Sequence, residues 1–140
     1  MTEGMNLPDK KLLTLSAAQR IVEAAVAEAI RNNVRVSVAV LDDGGHLLHF
    51  VRMDRVHAGT VAVADAKARA AVLFMKPTRD FAQSFAEGNS ALLGLPGMLP
   101  VPGGIPLLQA SQLVGGIGVS GAQPAIDDRI AAAGAAVLDT

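Results

Sequence analysis

Three side chains that could carry chemistry lie within the six residues 52–57: Arg52, Asp54 and His57. They lie where a predicted strand ends, and strand ends and the loops beside them often hold ligands. The Arg52 guanidinium has a fork geometry that suits a carboxylate. Asp54 and His57 could act as an acid–base pair or bind a divalent metal. The alternative is a surface ion pair between Arg52 and Asp54 with a solvated His57, which is a common arrangement.

A second candidate site is the segment Pro100–Pro106, in which Gly103 and Gly104 stand between prolines. The backbone N–H groups of such a pair can form a nest that holds a carboxylate or another anion. The segment lacks the Lys-Ser/Thr ending of a phosphate-binding P-loop. A rigid connector without any ligand explains the same residues equally well.

The segment Gly116–Gly121 matches the dinucleotide-binding pattern G-x-G-x-x-G. No second parallel strand follows the next predicted helix, so we do not expect a dinucleotide site. On a strand, Gly116, Gly118 and Ser120 share one face. A face this bare indicates either a closely packed helix or a ligand that lies against the backbone. Ser120 is not expected to be a nucleophile, because the elbow motif requires glycine where Ala122 stands.

Composition excludes several kinds of site and partner. The chain of 140 residues has no cysteine, which excludes disulfides, thiolate metal sites and cysteine nucleophiles. His46 and His49 point to opposite faces of a predicted strand, so no metal site is expected. The net charge is −1, and neither nucleic acid nor a membrane surface is an expected partner. No apolar run approaches the roughly 18 residues of a membrane helix, and we expect a cytoplasmic protein.

The elements that must position these residues follow from periodicity. Ser16 and Gln19 fit a capping box that begins a first helix, whose apolar residues recur at helical spacing. The other predicted elements are strands over residues 34–41 and 46–54, an alanine-rich helix over 59–75, a short helix after Thr78, a Gly- and Pro-rich loop over 87–106, a hairpin of 107–109 with 113–120, and a last helix from Pro124. Val36, Val38 and Val40 share one face of the first strand, and Leu48 and Phe50 share one face of the second. Asp127 lies near the positive end of the last helix. Hairpins favour an antiparallel sheet covered by helices, so we predict one α+β domain. An apolar fraction of 51% predicts a substantial core and buried contacts between subunits.

Several motifs occur in an order and spacing that resemble the GlcG/HbpS family of small bacterial proteins. They are Asp42-x-x-Gly45, Arg52-Met53-Asp54, Asp65-x-Lys67-Ala68-x-x-Ala71, Pro77-Thr78, Pro102-Gly103-Gly104-Ile105-Pro106, Gly115-x-Ile117-Gly118-Val119-Ser120-Gly121 and Asp127-Asp128. The resemblance covers roughly Leu15 to Leu138.

The resemblance implies a profilin-like domain over residues 15–140, after an N-terminal extension of residues 1–14. It implies an antiparallel sheet of about five strands flanked by helices, and a homo-oligomer of four to eight copies. Members are associated with haem binding, with corrinoid or diol utilisation and with glycolate-utilisation gene clusters. A few relatives are thought to act on small aromatic or heterocyclic acids.

The chain departs from the family pattern at two places. Arg55-Val56-His57 stands where the family usually has Gly-Ala. Haem-binding relatives tend to offer a ligand from the first helix, and here that helix has no His, Tyr, Met or Cys. His46, His49 or Met53 would have to take the place of that ligand.

These observations predict a small-ligand-binding protein with an anion-binding pocket near a subunit interface and haem as a candidate cofactor. The predicted ligand-binding residues are Arg52, Gly103, Gly104, Gly118 and Ser120. Asp54 with His57 or Lys67 is the predicted acid–base pair, although Lys67 could equally be an ion-pair partner of Asp54. Two alternatives are a small cofactor-independent hydrolase or isomerase for a carboxylated or heteroaromatic compound, and a structural assembly subunit.

Overall fold

The computed structural model describes residues 4–139 of the chain. In chain order the elements are α1 (Leu15–Arg31), β1 (Ser37–Asp42), β2 (Leu47–Arg52), α2 (Gly59–Phe74), α3 (Thr78–Ala86), β3 (Gly104–Gln109), β4 (Gln112–Ser120) and α4 (Pro124–Ala135). Short 3₁₀ helices span Ser90–Gly94 and Ala136–Asp139. Within residues 4–139, no helix is both long and apolar enough to cross a membrane.

The four strands form one antiparallel sheet in the order β2-β1-β4-β3. The prediction of a single α+β domain with an antiparallel sheet is confirmed, but within residues 4–139 the sheet has four strands where about five were expected. The strand predicted over 107–109 begins earlier, at Gly104, and includes Pro106. Proline lacks an N–H and is tolerated there because β3 is an edge strand. The central strand β1 is buried on both faces, so the alternation of valines predicted its facing but not its full burial.

Helices cover both faces of the sheet. Val38 and Val40 of β1 face α1 and α4 in the larger core, where Ile130 of α4 joins them. Ala39 and Leu41 face α2 in a smaller core. The sheet is therefore the middle of three layers, with α1 and α4 on one side and α2, joined by the start of α3, on the other.

The bare face of β4 lies against α2. A Cβ atom added to Gly118 would collide with the carbonyl oxygen of Ala64, and one added to Gly116 would lie 2.7 Å from the carbonyl oxygen of Ala68. The close-packing interpretation of these glycines therefore describes the structure. Gly118 cannot also present this face to a ligand, because the α2 backbone fills the space.

Two local predictions need correction. Thr14, rather than Ser16, caps α1, since the Thr14 hydroxyl oxygen accepts a hydrogen bond of 3.1 Å from the Ala17 N–H. The strand register slips at a bulge between Val40 and Leu41 on β1, opposite Leu48 on β2. As a result Leu48 packs in the larger core and Phe50 in the smaller one, although simple alternation placed both on one face.

Candidate functional site

The predicted catalytic Lys67 is buried in an ion pair that links opposite sides of the sheet. Its side chain is 2% exposed, and its Nζ lies 3.1 Å from Asp127 Oδ2 at the start of α4. The same ammonium donates to the carbonyl oxygen of Val119 over 2.9 Å. Lys67 therefore pairs with Asp127 rather than with Asp54, and bulk solvent does not reach it.

Asp127 is held on its other side by backbone. Its Oδ1 accepts a hydrogen bond of 2.9 Å from the Ala122 N–H. Burial raises the pKa of the Asp127 carboxyl above its usual 3.8, and the attraction of Lys67 opposes that rise only in part. The sequence placed Asp127 near the positive end of a helix but offered no sign of its partner. The arrangement fastens α2 to α4 across the end of the sheet.

The Gly103–Gly104 turn is buried and is held by hydrogen bonds inside the protein. The Gly104 N–H donates to the Thr78 hydroxyl over 2.9 Å, and the Gly103 carbonyl oxygen accepts from the Val119 N–H over 2.9 Å. Gly103 has a φ of 127°, and a Cβ there would lie 2.8 Å from Lys67 Nζ. These bonds hold the turn in place, and Gly103 leaves room for the buried lysine. An anion site at this turn stays a prediction.

Arg52 and Ser120 lie in one row across the sheet, but only Ser120 is close to that turn, because it follows Val119, which bonds to Gly103. Ser37 of β1 is the register partner of both Arg52 and Ser120. Neighbouring strands are about 4.8 Å apart, so three spacings put Arg52 about 14 Å from Gly103. Arg52 is exposed, and its side chain has no hydrogen bond or ion pair among residues 4–139. A single chain therefore does not join Arg52 and Gly103 in one pocket.

Asp54 and His57 line two adjoining cavities that meet at Arg35. The first, which we call the Asp54 cavity, has a volume of about 280 Å³ and includes Met53 in its wall. The second, the His57 cavity, has a volume of about 380 Å³. It is lined by Asn33, Val34, Arg35, Arg55, Val56, His57 and Gly121. Both Asp54 and His57 are exposed, so the structure places them near one another without enclosing them.

A further groove, between α1 and β2, was not predicted as a site. This α1–β2 groove has a volume of about 560 Å³. Its walls are Gln19, Val22, Glu23, Val26, Ala27, Ile30, His49 and Val51. The sequence showed the apolar stripe of α1 but indicated only core packing. His49 reaches the groove because its register partner Val40 faces the α1 side of the sheet.

The other two candidate haem ligands are placed differently. His46 lies exposed at the β1–β2 turn, outside the α1–β2 groove. The Met53 sulfur accepts a hydrogen bond of 3.4 Å from the Val36 N–H. Within residues 4–139, no three His, Asp or Glu side chains cluster closely enough to hold a metal ion by themselves.

The comparisons with known proteins agree with this architecture. A family model described as "Haem degrading protein HbpS-like" matches residues 13–136. The chain belongs to the HbpS-like family. The GlcG protein of Escherichia coli K12 is 38% identical over 111 residues, which is 79% of this chain and 83% of that protein.

Solved structures of HbpS-like proteins have the same fold. A double mutant of Streptomyces reticuli HbpS superposes with a TM-score of 0.87 at 38% identity, covering 99% of this chain and 94% of that one. A PduOC:heme complex superposes with a TM-score of 0.83 at 26% identity, covering 91% of this chain and 95% of the other. The predicted GlcG/HbpS resemblance is confirmed.

Proposed function

We propose that this HbpS-like protein binds haem in the α1–β2 groove, where the His49 imidazole would supply a nitrogen ligand to the iron. The observation that carries the proposal is the position of His49, an imidazole at an apolar groove of about 560 Å³. The family description and the heme complex of a structural relative support the same class of ligand.

The chemistry of the groove fits the ligand. A planar tetrapyrrole needs apolar walls and at least one nitrogen or sulfur donor for its iron. Val22, Val26 and Val51 supply such walls. The His49 ring has no hydrogen-bond partner among residues 4–139, so a ring nitrogen is available to iron. Helix α1 beside the groove carries no His, Tyr, Met or Cys that could bind the iron. His49 offers a nitrogen from the facing strand β2 instead.

Titration of the purified protein with hemin tests this proposal. The wild-type protein is expected to produce a Soret band that saturates with one hemin per chain, and His49→Ala to weaken or abolish it. His46→Ala is the matched control, because it removes the same side chain from the same hairpin outside the groove. A wild-type protein without a Soret change, or equal binding by both variants, would contradict the proposal.

A second candidate function is a small enzyme that acts on a carboxylated or heteroaromatic compound. The observation that favours it is the meeting of the Asp54 and His57 cavities at Arg35. Asp54 and His57 would supply acid–base chemistry while Arg35 holds the carboxylate. Turnover that is lost in Asp54→Asn, with the wild-type oligomeric state retained, would favour the enzyme. Equal rates of turnover by the wild type and Asp54→Asn would contradict this candidate function.

We further propose that copies of the chain assemble into a homo-oligomer. Large apolar side chains are exposed along the segment from the end of α2 to the loop after α3, where burial by a neighbouring copy would be favourable. They include Leu73, Met75, Phe85, Leu93 and Leu95. A shared anion site of Arg52 with the Gly103–Gly104 turn stays a prediction, and it needs residues from different copies. Sedimentation equilibrium tests the assembly, and a mass of one chain at micromolar concentration would contradict it.

A further inference from the structure

We infer that the His57 cavity is a separate binding site for a small anion with two or more oxygens, of the carboxylate or phosphate class. The cavity shares no lining residue with the α1–β2 groove. Its volume of about 380 Å³ suits a small acid. Binding at this cavity does not depend on haem, and neither outcome of the hemin titration bears on it. The cavity shares Arg35 and His57 with the second candidate function, but the inference requires only that an anion binds, so loss of turnover in Asp54→Asn neither supports nor contradicts it.

The charge of the lining is the first observation. Arg35, Arg55 and His57 all line this cavity, and its lining includes no Asp or Glu. Neither Arg35 nor Arg55 forms an ion pair among residues 4–139. The adjacent carboxylate, Asp54, belongs to the neighbouring cavity instead. Two positive groups that face one recess repel each other, and a bound anion offsets that repulsion.

The hydrogen bond of Arg35 is the second observation. One of its terminal nitrogens donates to the Asp54 carbonyl oxygen over 3.1 Å. A guanidinium has five N–H donors, so this bond restrains the side chain and leaves other donors for a ligand. A restrained fork loses less conformational freedom when it binds an oxyanion bidentately.

The backbone of the cavity is the third observation. Arg55 has a φ of 66°, a left-handed conformation that long side chains seldom adopt. Such conformations tend to persist where they serve a ligand site. Gly121 forms part of the wall, and a Cβ there would press on the Val36 backbone at 2.9 Å. The backbone conformation therefore places Arg55 in the same cavity as a stretch of wall that is formed by the Gly121 backbone alone.

Isothermal titration calorimetry at constant ionic strength tests the site with inorganic phosphate in one arm and acetate in the other. We expect saturable binding of at least one probe, and the tighter one identifies the class of ligand. Arg55→Gly is expected to weaken that binding by about tenfold or more, because a charged hydrogen bond is lost. Glycine adopts positive φ freely, so this variant also relieves the backbone and should fold well.

The control is Arg20→Gln, which removes an exposed arginine of α1 that lies outside every cavity described above. Arg35→Gln should weaken binding as Arg55→Gly does, while Arg20→Gln should leave it unchanged. Absence of binding for both probes would overturn the inference. Equal weakening by all three variants would overturn it as well, because it would show a general effect of net charge.

Discussion

Replacing Lys67 with methionine should destabilise the fold strongly while nearly preserving side-chain volume. The substitution leaves Asp127, whose side chain is 3% exposed, as a buried carboxylate without a positive partner. Removing one member of a buried pair typically costs about 3–5 kcal/mol. The backbone N–H of Ala122 still bonds to Asp127, so we expect the lower part of that range. The Val119 carbonyl oxygen also loses its lysine donor.

Urea denaturation followed by far-UV circular dichroism measures this loss. The chain contains no Trp and no Tyr, so intrinsic fluorescence is a poor probe, whereas its helices give a strong dichroic signal. With a denaturant slope of about 2 kcal/mol per molar urea, a loss of about 3 kcal/mol lowers the midpoint by about 1.5 M. Lys10→Met is the control, since it breaks the exposed pair of Lys10 with Asp43 and should barely move the midpoint.

A double-mutant cycle and a pH series test whether the unpaired Asp127 carboxylate causes the loss of stability. Lys67→Met combined with Asp127→Asn should cost less than the sum of the single variants, because the orphaned charge is gone. The Asp127 pKa is raised in the folded protein, so protonation favours folding as pH falls toward 3.8. The loss of stability caused by Lys67→Met should therefore become smaller as the pH falls. Additive single and double effects, or a defect independent of pH, would refute the reasoning.

Two further predictions concern the sheet and its hairpin. Gly118→Ala should lower the free energy of unfolding by about 3 kcal/mol or more, because the new Cβ would collide with the α2 backbone. Gly94→Ala is the control and should leave the free energy of unfolding nearly unchanged, because no heavy atom lies within 4 Å of the new Cβ. Asp42→Ala should cost about 1–2 kcal/mol at neutral pH, since Asp42 Oδ1 accepts 2.9 Å hydrogen bonds from the N–H groups of Gly44 and His46. The His46 N–H lowers the Asp42 pKa, so thermal melts of wild type and variant should converge as pH falls below 3.8.

Local patterns predicted the parts of the fold that depend on near neighbours. The alternation of Val36, Val38 and Val40 placed these residues on one face, and the structure puts all three in the larger core. The alanine-rich helix and its end before Pro77 were also predictable, as was the close packing that Gly118 permits. Each of these features is encoded in side-chain size and period over a few residues.

The candidate site depends on contacts that no local pattern encodes. Lys67 and Asp127 are 60 positions apart, so their pairing follows from the whole tertiary fold. The distance between Arg52 and Gly103 depends on strand order, because β1 and β4 lie between their strands. The α1–β2 groove likewise needed the register that turns His49 toward α1. The sequence indicates candidate side chains, but strand order and register decide which of them line the same cavity.

The buried pair between α2 and α4 also bears on how the chain folds while the ribosome makes it. Lys67 emerges long before Asp127, and the central strand β1 must wait for β4 before its second edge is hydrogen-bonded. Until β4 and α4 have been made, α2 lacks both the glycine face of β4 against which it packs and the carboxylate that pairs with Lys67. The Lys67–Asp127 pair and the second edge of β1 are therefore expected to form only once synthesis has passed α4.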